Sequence, residues 1–489
     1  MLSPSHIASL RSALAAAGFT VDGVYAVLGD EAHRALSRNQ TVPALRATGG
    51  GAPVETLTRL FSLQVAVPRE RADAALPGLV EPLVAAGMLD ASGGEVRALV
   101  DVRPYGDEGH DWWVVCDLTP GLTGALGATR PDFVLGISEA SSSLAQLARR
   151  EPVGRALDLG TGCGVQALHL AQHSGSVVAT DVNPRALAMA RLTAALNGIE
   201  VDVRDGSLYE PVAGETFDLI ATNPPFVISP PDGGERLVYR DAGMPGDEMV
   251  RRVVSGAAEQ LNPGGWCQVL ANWAHTDGEP WTERVRSWIE PAGLDAWVLQ
   301  REVADPATYV EMWLADAGLR TGTAEHAARY EAWLDYLAAQ RVTGVGFGWL
   351  SLRKAGSDRP EVRVEEWTGE VAQPLAPAVS EWALAVDAVR DGDLLATHWR
   401  VARDVVQETY GPVGADDPEA IMLHKQTGVR RTRRLDTIGA GLVSTCDGDL
   451  AAGQILDALA QLLDQDAGAL RERYAPLVRD LVTEGFLTA

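Results

Sequence analysis

Lysine is almost missing from this chain of 489 residues. Lys354 and Lys425 are the two it has, so arginine supplies nearly all the positive charge. Together with abundant Ala and Gly, that usage points to a GC-rich bacterial genome. Cysteine is scarce as well. Cys116, Cys163, Cys267 and Cys446 lie far apart, with no CxxC pair and no Cys/His ligand spacing. They exclude a disulfide framework and a zinc site, and they fit a reducing cytoplasm. No run of about 18 apolar residues occurs, and Met1-Leu2-Ser3-Pro4-Ser5-His6 lacks a basic stretch followed by an apolar one. The expectation is a cytoplasmic chain that neither spans nor binds a membrane and holds no metal.

Basic charge is deficient overall. Asp and Glu outnumber Lys and Arg 66 to 41, a formal net charge of −25. A protein built to grip a phosphate backbone presents a basic face, because phosphate neutralisation supplies much of that affinity. This chain as a whole repels polyanions, so a protein or peptide partner is favoured over RNA. The local exception is His424 to Arg434, containing Arg430, Arg431, Arg433 and Arg434. It reads as a solvated loop or an intramolecular partner for acidic surface, with RNA docking as the alternative.

What is present is a folded composition, 46% hydrophobic, in a chain long enough for two or three domains. Residues 1 to about 90 read as helices, closed by Leu79-Val80-Glu81-Pro82-Leu83-Val84-Ala85-Ala86-Gly87-Met88-Leu89 with glycine at the helix end. Glu95–Arg103 and Asp111–Leu118 read as a hairpin. The C-terminal segment Leu477 to Leu487 echoes the earlier helix end: Leu-Val, Leu-Val, Gly, apolar, Leu. Two related winged-helix-like modules are expected, over 1–118 and 356–489.

Between them, over 119–355, strands alternate with helices. The strands read as 155–159, 176–180, 201–204, 217–222, 266–273, 296–301 and 345–352, with helices at 165–173 and 184–197. Residues 305–340, rich in Trp, Tyr and Leu, form a helical insertion before the last strand. This pattern gives an α/β domain with a mostly parallel, Rossmann-like sheet of seven strands. Since every ligand motif falls in this domain, the flanking modules are expected to be dispensable for ligand binding.

Two stretches carry chemistry. Ala156-Leu157-Asp158-Leu159-Gly160-Thr161-Gly162-Cys163-Gly164 is an apolar strand that ends in an acid and enters a glycine-rich turn. Glycines let the backbone turn tightly and approach a ligand, and the helix that follows offers free N–H groups. GxGxG alone also begins dinucleotide sites, but there the third glycine comes one residue later (GxGxxG). The next strand ends at Asp181-Val182, an acid placed for ribose hydroxyls. Asp205, Gly206 and Ser207 follow the third strand, with either Asp205 or Ser207 placed for a ligand contact. The second stretch, Phe217 to Thr222, is a buried strand ending in Asn223-Pro224-Pro225-Phe226.

In this order and spacing the two stretches resemble the S-adenosylmethionine-dependent methyltransferases that act on nitrogen conjugated to a planar group. Thr129-Arg130-Pro131-Asp132-Phe133 resembles the Arg-Pro-acid segment of release-factor glutamine methyltransferases. Those enzymes carry Tyr where this chain has Phe226. Ribosomal RNA guanine-N2 methyltransferases carry Phe there and share the look of Gly265-Trp266 through Ala271-Asn272. The resemblance covers residues 155–275 and implies S-adenosylmethionine as cofactor, held by Arg130, Asp158, Gly160, Thr161, Gly162, Gly164, Asp181, Val182, Asp205, Gly206, Ser207 and Asn223. Asp158 would face the cationic methionine end. Asn223 and Pro224 would accept hydrogen bonds from the acceptor nitrogen, with Pro225 fixing the corner and Phe226 stacking on the planar group. The implied acceptor is a protein or peptide glutamine amide. An exocyclic RNA amine (guanine N2 or adenine N6) and a non-catalytic binding module with a vestigial fold are the alternatives.

Overall fold

The computed structural model describes residues 2–107, 109–122, 129–231, 236–413 and 418–489. The chain divides into two compact units. One contains Met1–Ala145 with Glu151–Glu365, and the other Gln146–Arg150 with Glu366–Ala489.

The first unit is built on one sheet. Its strands are β1 (Val153–Leu159), β2 (Ser174–Asp181), β3 (Asp202–Asp205), β4 (Phe217–Thr222), β5 (Leu261–Thr276), β6 (Asp295–Ala304), β7 (Val342–Arg353) and β8 (Val362–Glu366). They lie in the order β8-β6-β7-β5-β4-β1-β2-β3. From β5 to β3 the pairings are parallel, whereas β7 runs antiparallel to both β5 and β6. The seven strands expected from the sequence are all present, six of them largely buried and β3 a polar edge strand. The eighth, β8, is a short, half-buried edge strand whose Val-Arg-Val-Glu-Glu composition gives no apolar run.

Helices α1 (Val165–Ala171), α2 (Pro184–Asn197), α3 (Glu248–Gln260) and α4 (Trp281–Ile289) connect the strands. The insertion expected near 305–340 is a helix pair, α5 (Pro306–Asp316) and α6 (Ala324–Ala339), between β6 and β7. Asp305 caps α5 by accepting from the N–H groups of Ala307 and Thr308. Register places the chemistry. Leu159 of β1 pairs with both Thr180 of β2 and Thr222 of β4, so Gly160, Asp181 and Asn223 leave the sheet side by side. In an open α/β sheet this carboxyl edge is where ligands bind.

The N-terminal residues complete this unit. Helices at Pro4–Ala16, Val21–Leu36, Val42–Ala47 and Pro53–Leu57 precede a short strand at Val67–Pro68. Helices Arg69–Ala75 and Val80–Ala85 follow, then strands Leu89–Ser92 and Glu95–Ala98. The stretch 95–103 is two strands, which corrects the single hairpin strand read from its composition. Glu95–Ala98 pairs with Leu89–Ser92, and after a bend at Leu99-Val100, Asp101–Asp107 pairs with His110–Cys116. The break turns Asp101 inward, where it is wholly buried against Arg103 at 2.6 Å.

These residues are not separable from the sheet's helices. Leu10, Phe19, Leu60 and Trp113 share one apolar core with Val165, Leu168, Met189 and Leu196. Arg11 closes the C-terminus of α2 by donating to the Leu196 carbonyl at 2.7 Å and the Ala195 carbonyl at 2.5 Å. Asn197 bonds the backbone N–H and C=O of Trp113 at 3.0 and 2.8 Å. Dispensability of the N-terminal module for ligand binding, as expected from motif positions, conflicts with this packing.

The second unit has helix Ala376–Asp391, a three-stranded antiparallel sheet (Val405–Tyr410, Ala420–Lys425, Thr432–Leu435) and three further helices. Its last helix, Ala467–Thr483, gives way to Leu487–Thr488 through Gly485 at φ 80°. Phe486 N–H bonds Leu481 C=O and Gly485 N–H bonds Val482 C=O. At the N-terminal echo, Met88 bonds Leu83 and Gly87 bonds Val84 in the same pattern, with Gly87 at φ 72°. Both are Schellman caps, so the sequence echo is one local device used twice.

The basic cluster in this unit is engaged internally. Arg433 bonds Glu484 at 2.8 Å and Asp480 at 2.6 Å. Arg430 pairs with Glu370, Arg431 lies 4.9 Å over the Trp367 ring and Arg434 donates to the Glu419 carbonyl at 3.1 Å. This geometry supports an intramolecular role for the cluster.

Candidate active site

A cleft opens at the carboxyl edge of the sheet where β1, β2 and β4 end. Its floor is the glycine loop. Gly160 and Thr161 both donate to the Thr180 carbonyl, at 2.9 and 2.8 Å. Gly164 has a left-handed φ of 89° at the start of α1, and a Cβ there would sit 3.4 Å from Ala190 Cα. Only glycine meets both demands without strain. Gly160 and Gly162, also left-handed, have nothing within 4 Å of where a Cβ would be, so their bare backbone lies open to the cleft.

Asp181 joins the loop to the cleft. Its Oδ2 accepts from Gly162 N–H and its Oδ1 from Asn183 N–H, both at 2.9 Å. Burial raises its pKa, while the backbone donors oppose the shift. Val182 beside it lines the cleft at 49% exposure, a free apolar face. After β3, Gly206 and Ser207 line the cleft, whereas Asp205 is exposed and lies outside the lining. Ser207 is therefore better placed than Asp205 for a ligand in the cleft.

Asp158 stands elsewhere. It is 1% exposed beneath the loop and does not line the cleft. Its Oδ2 accepts from Thr161 Oγ1 at 2.6 Å and Ala167 N–H at 2.9 Å, tying the loop to α1. Its Oδ1 is buried without a partner among the described residues, and burial pushes its pKa up to about 7. Arg130 forms a two-point pair with Asp132 at 2.9 and 2.8 Å and is also outside the lining. Phe133 to Gly136, just after it, do line the cleft.

On the other side, Thr222 Oγ1 donates to the Leu159 carbonyl at 2.7 Å, locking the end of β4 to the end of β1. Asn223, Pro224 and Pro225 follow and line the cleft. The side-chain oxygen of Asn223 is buried and, among the described residues, has no hydrogen-bond partner. A buried acceptor left unpaired is costly, so this oxygen is poised to receive a donor. Phe226 turns away from the cleft, set edge to face with Trp313 of α5 and Phe347 of β7 at 6.4 and 6.5 Å between ring centres. The chain after it is held by Tyr309, whose hydroxyl accepts from Ile228 N–H at 2.8 Å and the Asn272 amide at 3.1 Å.

Val238, Tyr239, Met249 and Val253 also line the cleft. No motif points to them. They are apolar or aromatic residues that reach the cleft through the loop after Phe226 and the first turns of α3. Tyr239 packs edge-on to Phe133 at 5.6 Å, and its hydroxyl donates to Asp316 of α5 at 2.5 Å.

Comparison with known proteins adds to this geometry. Residues 136–283 match the family model "methyltransferase small domain". Residues 16–99 and 379–489 match two domains of unknown function (DUF7059 and DUF7782). A release factor glutamine methyltransferase of Geobacter sulfurreducens is 37% identical over 134 residues, 25% of this chain and 46% of its own. A ribosomal RNA small subunit methyltransferase C of Erwinia tasmaniensis is 32% identical, over 28% of this chain and 36% of its own. A ribosomal protein uL3 glutamine methyltransferase of Bradyrhizobium diazoefficiens is 35% identical, over 23% and 39%. The chain thus spans about half or less of the length of these relatives. A solved 16S ribosomal RNA methyltransferase from T. thermophilus overlaps 48% of this chain at 17% identity, with a TM-score of 0.29. The family-model likeness to known methyltransferases is thus confined to the central region of this chain, residues 136–283.

Proposed function

We propose that the chain is an S-adenosylmethionine-dependent N-methyltransferase, cytoplasmic, acting on a glutamine side-chain amide of a protein or peptide. The observation that carries the reading is the buried, unpartnered oxygen of Asn223 in the cleft that holds the glycine loop and Asp181. The residues fit the cofactor. Asp181 offers carboxylate oxygens to ribose hydroxyls, Val182 and Leu208 offer apolar faces to adenine, and the open backbone at Gly160 and Gly162 admits the amino-acid end. When bound, the cofactor supplies an electrophilic methyl group.

The chain's own task is to hold the acceptor. An amide nitrogen is a poor nucleophile because its lone pair is delocalised into the carbonyl. Asn223 Oδ1 and the Pro224 carbonyl accept from its N–H groups and fix the direction of that lone pair, while the two prolines restrict the corner. The proton departs after the nitrogen has gained its methyl.

Two observations favour an amide over a nucleobase. Phe226, the ring that would stack on a base, faces Trp313 and Phe347 and not the cleft. The net charge of −25 and the internally engaged arginine cluster disfavour a polyanion. The relatives' names include both glutamine and ribosomal RNA methyltransferases.

The test is transfer of labelled methyl from S-adenosylmethionine into fractionated lysate, followed by protease or nuclease. Label released by protease supports the reading, and label released by nuclease replaces it with the RNA alternative. Asn223→Ala is expected to lower turnover by about 10²–10³ with S-adenosylhomocysteine affinity retained, by analogy with the loss of one preorganised polar contact. Near-normal turnover would overturn nitrogen-directed chemistry.

A further inference from the structure

The strand His110–Cys116 belongs to the N-terminal residues and leads directly into Asp117, which is 8% exposed. Asp117 and Val134 bond each other reciprocally. The Asp117 N–H donates to the Val134 carbonyl at 3.1 Å, and Asp117 Oδ2 accepts from Val134 N–H at 2.8 Å. The same carboxylate receives Arg185, whose Nε lies 3.0 Å from each oxygen. Arg185 is the second residue of α2.

A second tie runs alongside. Asn183 caps α2 by accepting from Arg185 N–H at 2.9 Å, and its amide donates to the Asp132 carbonyl at 2.9 Å. A strap, residues 132–135, is therefore fastened at two points to residues 183–185. Phe133, Val134 and Leu135 of the strap line the cleft, as do Asp181 and Val182 just before the fastening. Asp117 and the strap both precede residue 136, where the family match begins.

We propose that Asp117 and Arg185 are a positioning pair for cofactor binding, holding the strap and the Asp181-Val182 corner together as walls of one cleft. This assigns the N-terminal residues a part in the cofactor site, and it rests on the cofactor reading above. Removing the Asp117 carboxylate frees the Val134 N–H and takes the charged partner from Arg185. The strap is then tied to residues 183–185 through Asn183 alone, and bound cofactor escapes faster.

The test is S-adenosylhomocysteine binding to the full-length chain, by calorimetry and stopped flow, with thermal unfolding measured alongside. Asp117→Ala is expected to weaken binding about tenfold, mostly through faster dissociation, consistent with loss of a charge-assisted contact. Asp117→Asn keeps an acceptor for Val134 N–H and should lie between Asp117→Ala and wild type. Adding Arg185→Ala to Asp117→Ala should weaken binding little further, as for two halves of one interaction. Asn197→Ala cuts the tie between Trp113 and the far end of α2. It should lower thermal stability and leave affinity unchanged.

Unchanged affinity in folded Asp117→Ala overturns the proposal, as does an equal loss of affinity in Asn197→Ala. If Asp117→Ala does not fold, Asp117→Asn and Arg185→Lys carry the decision by the same criteria. A wild-type chain that binds no S-adenosylhomocysteine overturns the cofactor reading itself, and the proposal with it.

Discussion

Replacing Asp158 by asparagine separates two roles for this acid, contact with a cationic ligand and support of the glycine loop. In the fold Asp158 is buried, holds Thr161 and Ala167 through Oδ2 and leaves Oδ1 unpaired. Burial lifts its pKa from 3.8 to about 7. A carboxyl whose folded pKa exceeds its unfolded value binds its proton more tightly when folded. Its contribution to stability is therefore fullest in acid and is lost as pH rises from the unfolded to the folded pKa, here between about 4 and 7. That gap corresponds to a ceiling of roughly 4 kcal/mol. The amide in Asp158→Asn cannot titrate. Its oxygen can take over both hydrogen bonds of Oδ2, while its NH₂ would occupy the unpaired position at a cost of about 1–3 kcal/mol. The difference in unfolding free energy between wild type and Asp158→Asn, measured by urea denaturation from about pH 4.5 to 8, should therefore slope with pH. The variant should be the less stable form in acid and should gain on wild type as pH rises, the difference levelling off above about pH 7. S-adenosylhomocysteine affinity should stay near wild type. A flat difference would mean that Asp158 is not a buried, proton-binding support. A large loss of affinity in a stable variant would return it to the ligand.

Three further outcomes follow from the same geometry. Asp181→Ala should weaken S-adenosylhomocysteine binding by about 1–3 kcal/mol in calorimetry, since buried hydroxyls would lose their acceptor; unchanged affinity would remove Asp181 from the ribose role. Deleting residues 1–118 should abolish cooperative unfolding followed by circular dichroism, because it strips Leu10, Phe19 and Trp113 from the core they share with α1 and α2; a truncated chain with the wild-type midpoint would show the module to be separable. Arg433→Ala should cost the C-terminal unit about 1 kcal/mol in denaturation through loss of the Asp480 and Glu484 pairs, with methyl transfer unchanged; lost transfer in a stable variant would restore a docking role to the cluster.

What could be read in the sequence was what local chemistry determines. The central strands of the parallel sheet, β1, β2 and β4, are largely buried and so stand out as apolar runs, and the residues that end or follow them are the ones the cleft collects: Gly160, Asp181 and Asn223. The paired helix ends at Gly87 and Gly485 were legible for the same reason, since a Schellman cap is completed within a few residues. What stayed hidden depends on the folded surroundings. Asp158 reads as an acid facing ligand until the fold buries it under the loop it ties. Phe226 reads as a stacking ring until α5 and β7 bring Trp313 and Phe347 against it. Ala271-Asn272 carries a family resemblance but no evident task until Tyr309 arrives from α5 to join Asn272 to Ile228. The departures at Phe226 and Asn272 have a common source. Phe226 and Asn272 lie within residues 136–283, whereas Trp313, Phe347 and Tyr309, which hold them, lie outside that stretch. Val238, Tyr239, Met249 and Val253 line the cleft without belonging to any motif, so acceptor choice in this chain is to be sought among them as well as in the Asn-Pro-Pro-Phe motif.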